Sequence, residues 1–189
     1  KRDNDSHMMK NTEWGAVAYL SHSKYGINTE VRINNNSSYI TGYAATDKAS
    51  TTGNITGIYD MSGGAWEYMA SLRNETYGSS GFDATTLKAY NSKYYDTYDG
   101  SSDWTKYSKR ILGDATGEMG PFYYYKESNG SSYSHNSWYA DNSYFVNSSY
   151  PWFSRGGNYD YGVLAGQFGF AHSTGGAYSY IGLRLVLAK

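Results

Sequence analysis

Cysteine is absent from all 189 residues, and with it go disulfides, thiolate nucleophiles and sulfur-ligated zinc or iron. The fold has to stand on packing alone. The absence suits a bacterial surface as well as a reducing cytosol, so it leaves the compartment open. Net charge is missing too: 16 basic and 17 acidic side chains almost cancel, and no long-range field draws the protein towards nucleic acid or an anionic membrane. No apolar run reaches the roughly 20 residues of a membrane-spanning helix, so direct membrane insertion by this segment is not expected. No secretory signal opens the chain either. Lys1-Arg2-Asp3-Asn4-Asp5 reads as the interior of a longer polypeptide, with any export signal or anchor expected upstream.

What is present in excess is tyrosine and glycine, 23 and 22 residues, against 2 prolines. With abundant Ser and Asn, this mixture suits irregular, aromatic-rich surface loops over a modest core. Binding loops use the same four residue types, because Tyr gives a large rigid contact at low entropic cost and Ser, Gly and Asn hydrogen-bond adaptably. The plainer alternative is that Tyr fills half-buried strand and loop positions. A chain of this length buries about 70% of its unfolded surface around one core, so one domain over residues 1–189 is expected, as the C-terminal part of a longer chain.

Between Met8 and Leu20 the apolar residues Met8, Met9, Trp14, Val17, Ala18 and Leu20 recur at spacings of three and four, which predicts an amphipathic helix capped by Thr12 or Asn11. Residues 21–53 read mostly as loop, with short strands at Thr29 to Ile33 and Ser38 to Tyr43. The run from Ile55 to Ala70 is a glycine-punctuated turn entering a core element that carries Trp66, Tyr68 and Met69. A structureless loop from Arg73 to Tyr150 would be too long for a compact domain, which predicts short helices near Ala84 to Tyr98 and Ser102 to Leu112. At the end, Ile181, Leu183, Leu185 and Leu187 alternate at period two and predict a strand with that face on the core.

Three blocks in order resemble the formylglycine-generating enzyme, or sulfatase-modifying-factor, family. Asn11-Thr-Glu-Trp-Gly-Ala-Val-Ala-Tyr19 is similar to its T-E-A-E-W-E-Y-A-A helix. Tyr59-Asp-Met-Ser-Gly-Gly-Ala-Trp-Glu-Tyr68 is similar to D-M-x-G-N-V-W-E-W. Ser154-Arg-Gly-Gly157 followed by Ile181-Gly-Leu-Arg184 is similar to R-G-G-S-W and the terminal G-F-R. The resemblance implies an α+β, C-type-lectin-like fold with a small twisted sheet, few helices and extensive loops. It does not carry over the activity. The oxidase members need cysteines that this chain lacks, and the iron-dependent relatives use a trio of histidines, whereas His7, His22, His135 and His172 are widely spaced here. No enzymatic activity and no catalytic cofactor are therefore expected. The family's structural calcium is held through an Asn where this chain has Gly64; Asp60, Glu67 and backbone carbonyls remain as ligands for one. Otherwise Glu67 and Glu13 are expected to pair with Arg155 or Arg184.

The last block resembles still more closely the variable proteins of diversity-generating retroelements, in bacteria and phages. The resemblance implies a framework of Ala165, Gly166, Phe168 and Phe170 and a ligand-binding set of Tyr159, Asp160, Tyr161, Leu164, His172, Ser173, Tyr178 and Tyr180. The implied role is an extracellular or cell-surface domain that recognises a protein or glycan on another cell or phage. Sugar stacking on Trp138, Tyr139 or Tyr150 is a variant of it, though the calcium-dependent lectin motif E-P-N is absent. The alternative is a structural head of a pilus-like or filament subunit, assembled through upstream residues.

Overall fold

The computed structural model describes residues 5–38, 47–74, 76–98, 123–126 and 133–188. Its elements are β1 (Asp5–Met8), α1 (Asn11–Leu20), β2 (Trp66–Arg73), α2 (Ala84–Lys88), β3 (Asp96–Tyr98), β4 (Tyr123–Lys126), β5 (Tyr133–Asn136), β6 (Trp152–Gly156), β7 (Gly166–Ser173), β8 (Ile181–Leu183) and β9 (Leu185–Ala188). They make a mixed α+β fold with few helices and a twisted open sheet.

The expected helix forms, but it starts later and is capped differently. Met8 belongs to β1, and the N-cap is Lys10, whose backbone N–H donates to Glu13 Oε2 at 2.9 Å. Glu13 thereby answers one donor that a helix start would leave orphaned. Its other oxygen meets His7 Nε2 at 2.8 Å, so its partner is not an arginine. Asn11 and Thr12 are drawn into tertiary bonds instead of capping: Asn11 Oδ1 accepts from Arg155 Nη1 at 2.8 Å, and Thr12 Oγ1 donates to Asp96 Oδ2 at 2.9 Å. Trp14 and Ala18, one helical turn apart, both face the core fully buried.

β2 is the centre of the sheet. Along one edge it pairs antiparallel with β6, through Glu67↔Arg155 and Tyr68↔Ser154, and β6 pairs antiparallel with β7. Its other edge is shared end to end by two parallel neighbours, β8 on Trp66 to Tyr68 and β3 on Ser71 to Arg73. The two ends of the described chain meet in an antiparallel pair, β1 with β9, and β4 pairs with β5 in a separate ribbon. The core joins Trp14, Met61, Met69, Phe153, Phe168 and Phe170, and a smaller cluster joins Leu72, Leu87 and Trp152. Each such large side chain contributes about 1.5–3 kcal/mol on burial.

Several sequence expectations change here. Thr29 to Ile33 forms no strand: Val31 is buried singly, and the nearest pairing is an isolated bridge between Asn34 and Gly63. Of Ser38 to Tyr43 only Ser38 lies within the described residues, and the helix expected at Ser102 to Leu112 lies wholly outside them. The helix near Ala84 to Tyr98 shortens to α2, a 3-10 turn at Ser92–Tyr94 and strand β3. The terminal strand breaks at Arg184, and its leucines point outward: Leu183, Leu185 and Leu187 are 57%, 69% and 68% exposed. The ion pair between Arg184 and buried Glu67 sets which face turns inward, and a charge pair outweighs leucine periodicity because a buried carboxylate left alone would cost more.

Candidate ligand-binding surface

The three sequence blocks meet around one ring. Trp14 Nε1 donates to Gln167 O at 2.8 Å, and the guanidinium carbons of Arg155 and Arg184 stand 5.7 and 5.8 Å from the centre of the Trp14 ring. Arg155, fully buried, donates to Asn11 Oδ1, Gly169 O and Gln167 O. Arg184 binds both oxygens of Glu67 and also reaches Asp60 O. Burial pushes the Glu67 carboxyl above the usual range, and Arg184 partly offsets that.

The side chains expected to hold a calcium ion here are engaged by protein partners. Gly64, at a φ of +70°, offers no side-chain oxygen, both Glu67 oxygens are taken by a guanidinium, and Asp60 Oδ1 accepts from Asn34 Nδ2 at 3.0 Å. Among the described residues no group of three or more His, Asp or Glu side chains could share a metal.

β6 leads from the junction to the surface. Gly156 and Gly157 have φ of +89° and +75°, and a Cβ on Gly157 would lie 2.6 Å from the Cα of Ala165. Only glycine permits both the turn and the approach. The chain then makes an exposed 3-10 turn, Tyr159–Leu164, and returns along β7. Ala165, Gly166, Phe168 and Phe170 are all buried, as a framework requires. Gln167 joins them, its Nε2 donating to Ser21 Oγ at 2.8 Å.

A second 3-10 turn, Trp138–Ala140, lies against Tyr159–Leu164 and shares its base. Trp138 meets Phe168 edge-on with ring centres 4.7 Å apart, and Tyr139 stacks on Phe168 at 6.5 Å. The Tyr139 hydroxyl bonds His22 Nε2 at 2.6 Å. Tyr139 and Ala140 both hold left-handed backbone, φ 59° and 67°, which is strained for residues with a Cβ. The turn is fastened by Asp141, which is fully buried; its Oδ2 accepts from Phe168 N–H at 2.9 Å and its Oδ1 has no hydrogen-bond partner. The carboxylate rests on Gly166, where a Cβ would fall 2.0 Å from Oδ1. Burial pushes the Asp141 carboxyl up to about 7, against the lowering effect of the Phe168 N–H; Glu30 adds to the rise and Arg155 opposes it.

Of the eight sequence-derived ligand residues, Tyr161, Tyr178 and Tyr180 are 39%, 39% and 40% exposed, and Asp160 and Leu164 are also exposed. Tyr161 packs edge-on against Trp66 at 5.2 Å, and the Tyr178 and Tyr180 rings stack at 5.4 Å. Partial burial raises the Tyr161 phenol, and the Tyr144 and Tyr180 phenols raise it further. Tyr159 is half-buried, with its N–H on Gly64 O at 2.8 Å. His172 is half-buried too: its Nδ1 bonds Phe145 O at 2.8 Å and its ring stacks on Tyr150 at 4.8 Å.

Ser173 is a correction. It is 7% exposed and its hydroxyl bonds that of Tyr68, which also donates to Gly176 O at 2.9 Å. Ser173 therefore fastens the loop that carries Tyr178 and cannot be a contact residue. The sequence reading missed Val163, 72% exposed between Tyr161 and Leu164, and Tyr144, 42% exposed. Trp138, Tyr139 and Tyr150, read only as sugar platforms, belong to this surface as well. Nothing in the sequence marks Val163, whereas the aromatic pair Trp138-Tyr139 in a polar stretch is a usable signal. A scan against protein-family models finds none that matches the chain, and a search of curated proteins finds no similar sequence.

Proposed function

We propose that this chain is a non-catalytic recognition domain with a C-type-lectin-like fold of the formylglycine-generating-enzyme type, displayed outside a bacterial cell or on a phage. It binds a protein or glycan through its tyrosine-rich C-terminal segment. The observation that carries the reading is a set of half-exposed rings, Tyr161, Tyr178 and Tyr180, on turns held by a fully buried framework. Rigid aromatic side chains on fixed backbone gain contact area without much ordering cost. In favour of the family reading, Trp14, Glu67, Arg155 and Arg184, one or more from each similar block, interlock in one place.

Changing Tyr159, Tyr161, Tyr178 and Tyr180 together to Ala is the test. The variant is expected to keep the wild-type near-ultraviolet circular dichroism and a cooperative melt, and to lose binding to the glycans or cell-surface proteins that a glycan array and cell panels show the wild type retains. Unfolding would make the tyrosines core, and undiminished binding would move the site elsewhere. Retroelement diversification is checked separately in the neighbouring DNA: a near-copy of the segment coding Trp152 to Arg184, beside a reverse transcriptase and differing at adenines, is the expected sign. One observation favours the second reading, a structural head of a filament subunit: assembly would cover the outward row of Leu183, Leu185 and Leu187.

A further inference from the structure

The two turns Trp138–Ala140 and Tyr159–Leu164 differ in chemistry from the rest of the tyrosine surface. Beside the rings they present aliphatic groups, with Val163 72% exposed and Leu164 45%. A valine cannot answer sugar hydroxyls; covering it is favourable only against apolar atoms, as in the centre of a protein interface. The patch is also pre-formed. Phe168 supports both Trp138 and Tyr139, Asn142 N–H bonds Leu164 O at 2.8 Å, and His22 holds the Tyr139 hydroxyl. Strained backbone at Tyr139 and Ala140 is retained at the point where the rings are displayed.

The segment that builds both turns is poor in basic side chains. From Tyr133 to Leu183 the only lysine or arginine is Arg155, and that guanidinium is fully buried and bonded to Asn11, Gly169 and Gln167. A carboxylate, Asp160, is exposed on the same turn as Val163 and Leu164. Aromatic faces add to the attraction for cations, since the ring quadrupole is negative above its plane. The exposed Asp160 carboxylate disfavours an anionic ligand group at its own turn.

Resting on the recognition reading above, we propose that this patch binds a protein whose contact surface presents lysine or arginine side chains among apolar ones. The ammonium or guanidinium lies over Tyr161 and faces Asp160, while the apolar neighbours cover Val163 and Leu164. The charges set orientation and exclude acidic partners, and the apolar contact supplies most of the affinity.

The probe is a random peptide library on phage, panned against the immobilised chain. Selected sequences are remade as synthetic peptides and titrated against wild type, Val163→Ser and Asp160→Asn, with a glycan array run in parallel. Both side chains are exposed, so both variants are expected to fold as wild type. Selected peptides should be enriched in Lys or Arg beside apolar residues. Val163→Ser should weaken them about tenfold, and Asp160→Asn about threefold with a smaller salt dependence. Peptides enriched in Asp or Glu, peptides without charge bias, or affinities untouched by Val163→Ser overturn the proposal. Binding on the glycan array alone overturns it too, yet leaves the recognition reading standing. Silence on both panels sinks the two together.

Discussion

The junction around Trp14 and the patch around Tyr161 lie at the two ends of one short stretch of chain, and they are built by opposite rules. At the junction, side chains from α1, β2, β6 and the segment between β8 and β9 interlock, and Arg155 alone bonds three acceptors on two other segments. In the patch, rings such as Tyr161 rest on a single aromatic neighbour and leave much of their surface in water. The buried junction is tied by charged hydrogen bonds across several segments, whereas the reachable rings are held mainly by ring contacts and single hydrogen bonds. A fold divided in this way can change what it displays without changing what holds it.

Removing Arg155 should test the junction most severely. Arg155→Met keeps the bulk of the side chain but removes the guanidinium donors from Asn11 Oδ1 and from the carbonyls of Gly169 and Gln167 in a dry interior, the last of which keeps Trp14 Nε1. Breaking a buried charged network costs about 3–5 kcal/mol, about a fifth or more of the stability of an ordinary domain. Urea unfolding measures it. A loss below about 1 kcal/mol would mean that the junction is not the keystone of the framework and would dissolve the contrast.

Asp141 stands on the border between the two regions, and its effect should be somewhat smaller and dependent on pH. Its carboxyl is pushed up to about 7 in the folded chain, against about 3.9 when unfolded. Between those values the native state keeps a proton that the unfolded chain has released, so stability falls as pH rises. The contribution is complete below about pH 4 and is lost as pH passes about 7, a total of roughly 4 kcal/mol. Glu67 is shifted in the same direction, so the diagnostic quantity is the difference between wild type and Asp141→Asn. Denaturation curves from pH 4 to 8 should show a steeper decline in the wild type. Parallel curves for the two proteins would place the ionised carboxylate in contact with solvent or a cation.

How much of this was legible in the sequence follows from the range of the forces involved. The helix around Trp14 was readable because local apolar spacing decides it, whereas the buried set Ala165, Phe168 and Phe170 was expected only from the family resemblance. Glu67 was expected to find an arginine, but only the sheet register and the break at Arg184 decide that it is Arg184, with Arg155 left to bind amides and carbonyls. Ser173 looked like a contact residue because a serine between polar neighbours carries no mark of Tyr68, 105 residues earlier, which binds it. The alternating stretch Thr29 to Ile33 lacked what alternation cannot supply, a neighbouring strand edge to pair with.

The row of leucines at the end of the chain gives the smallest expected effect and the sharpest separation of the two regions. Period-two spacing assigns Leu185 to the core, where truncation costs about 2–5 kcal/mol. In the structure it is 69% exposed, whereas Leu72 on β2 is fully buried. Leu72→Ala should therefore cost within that core range, and Leu185→Ser less than about 0.5 kcal/mol. Thermal melts of the two variants side by side decide it. If Leu185→Ser is as damaging as Leu72→Ala, β9 is turned over and the Arg184 pairing with Glu67 cannot stand. If melting is unchanged but self-association of the chain falls, the exposed row serves assembly, and the molecule carries one surface for joining and another for recognition.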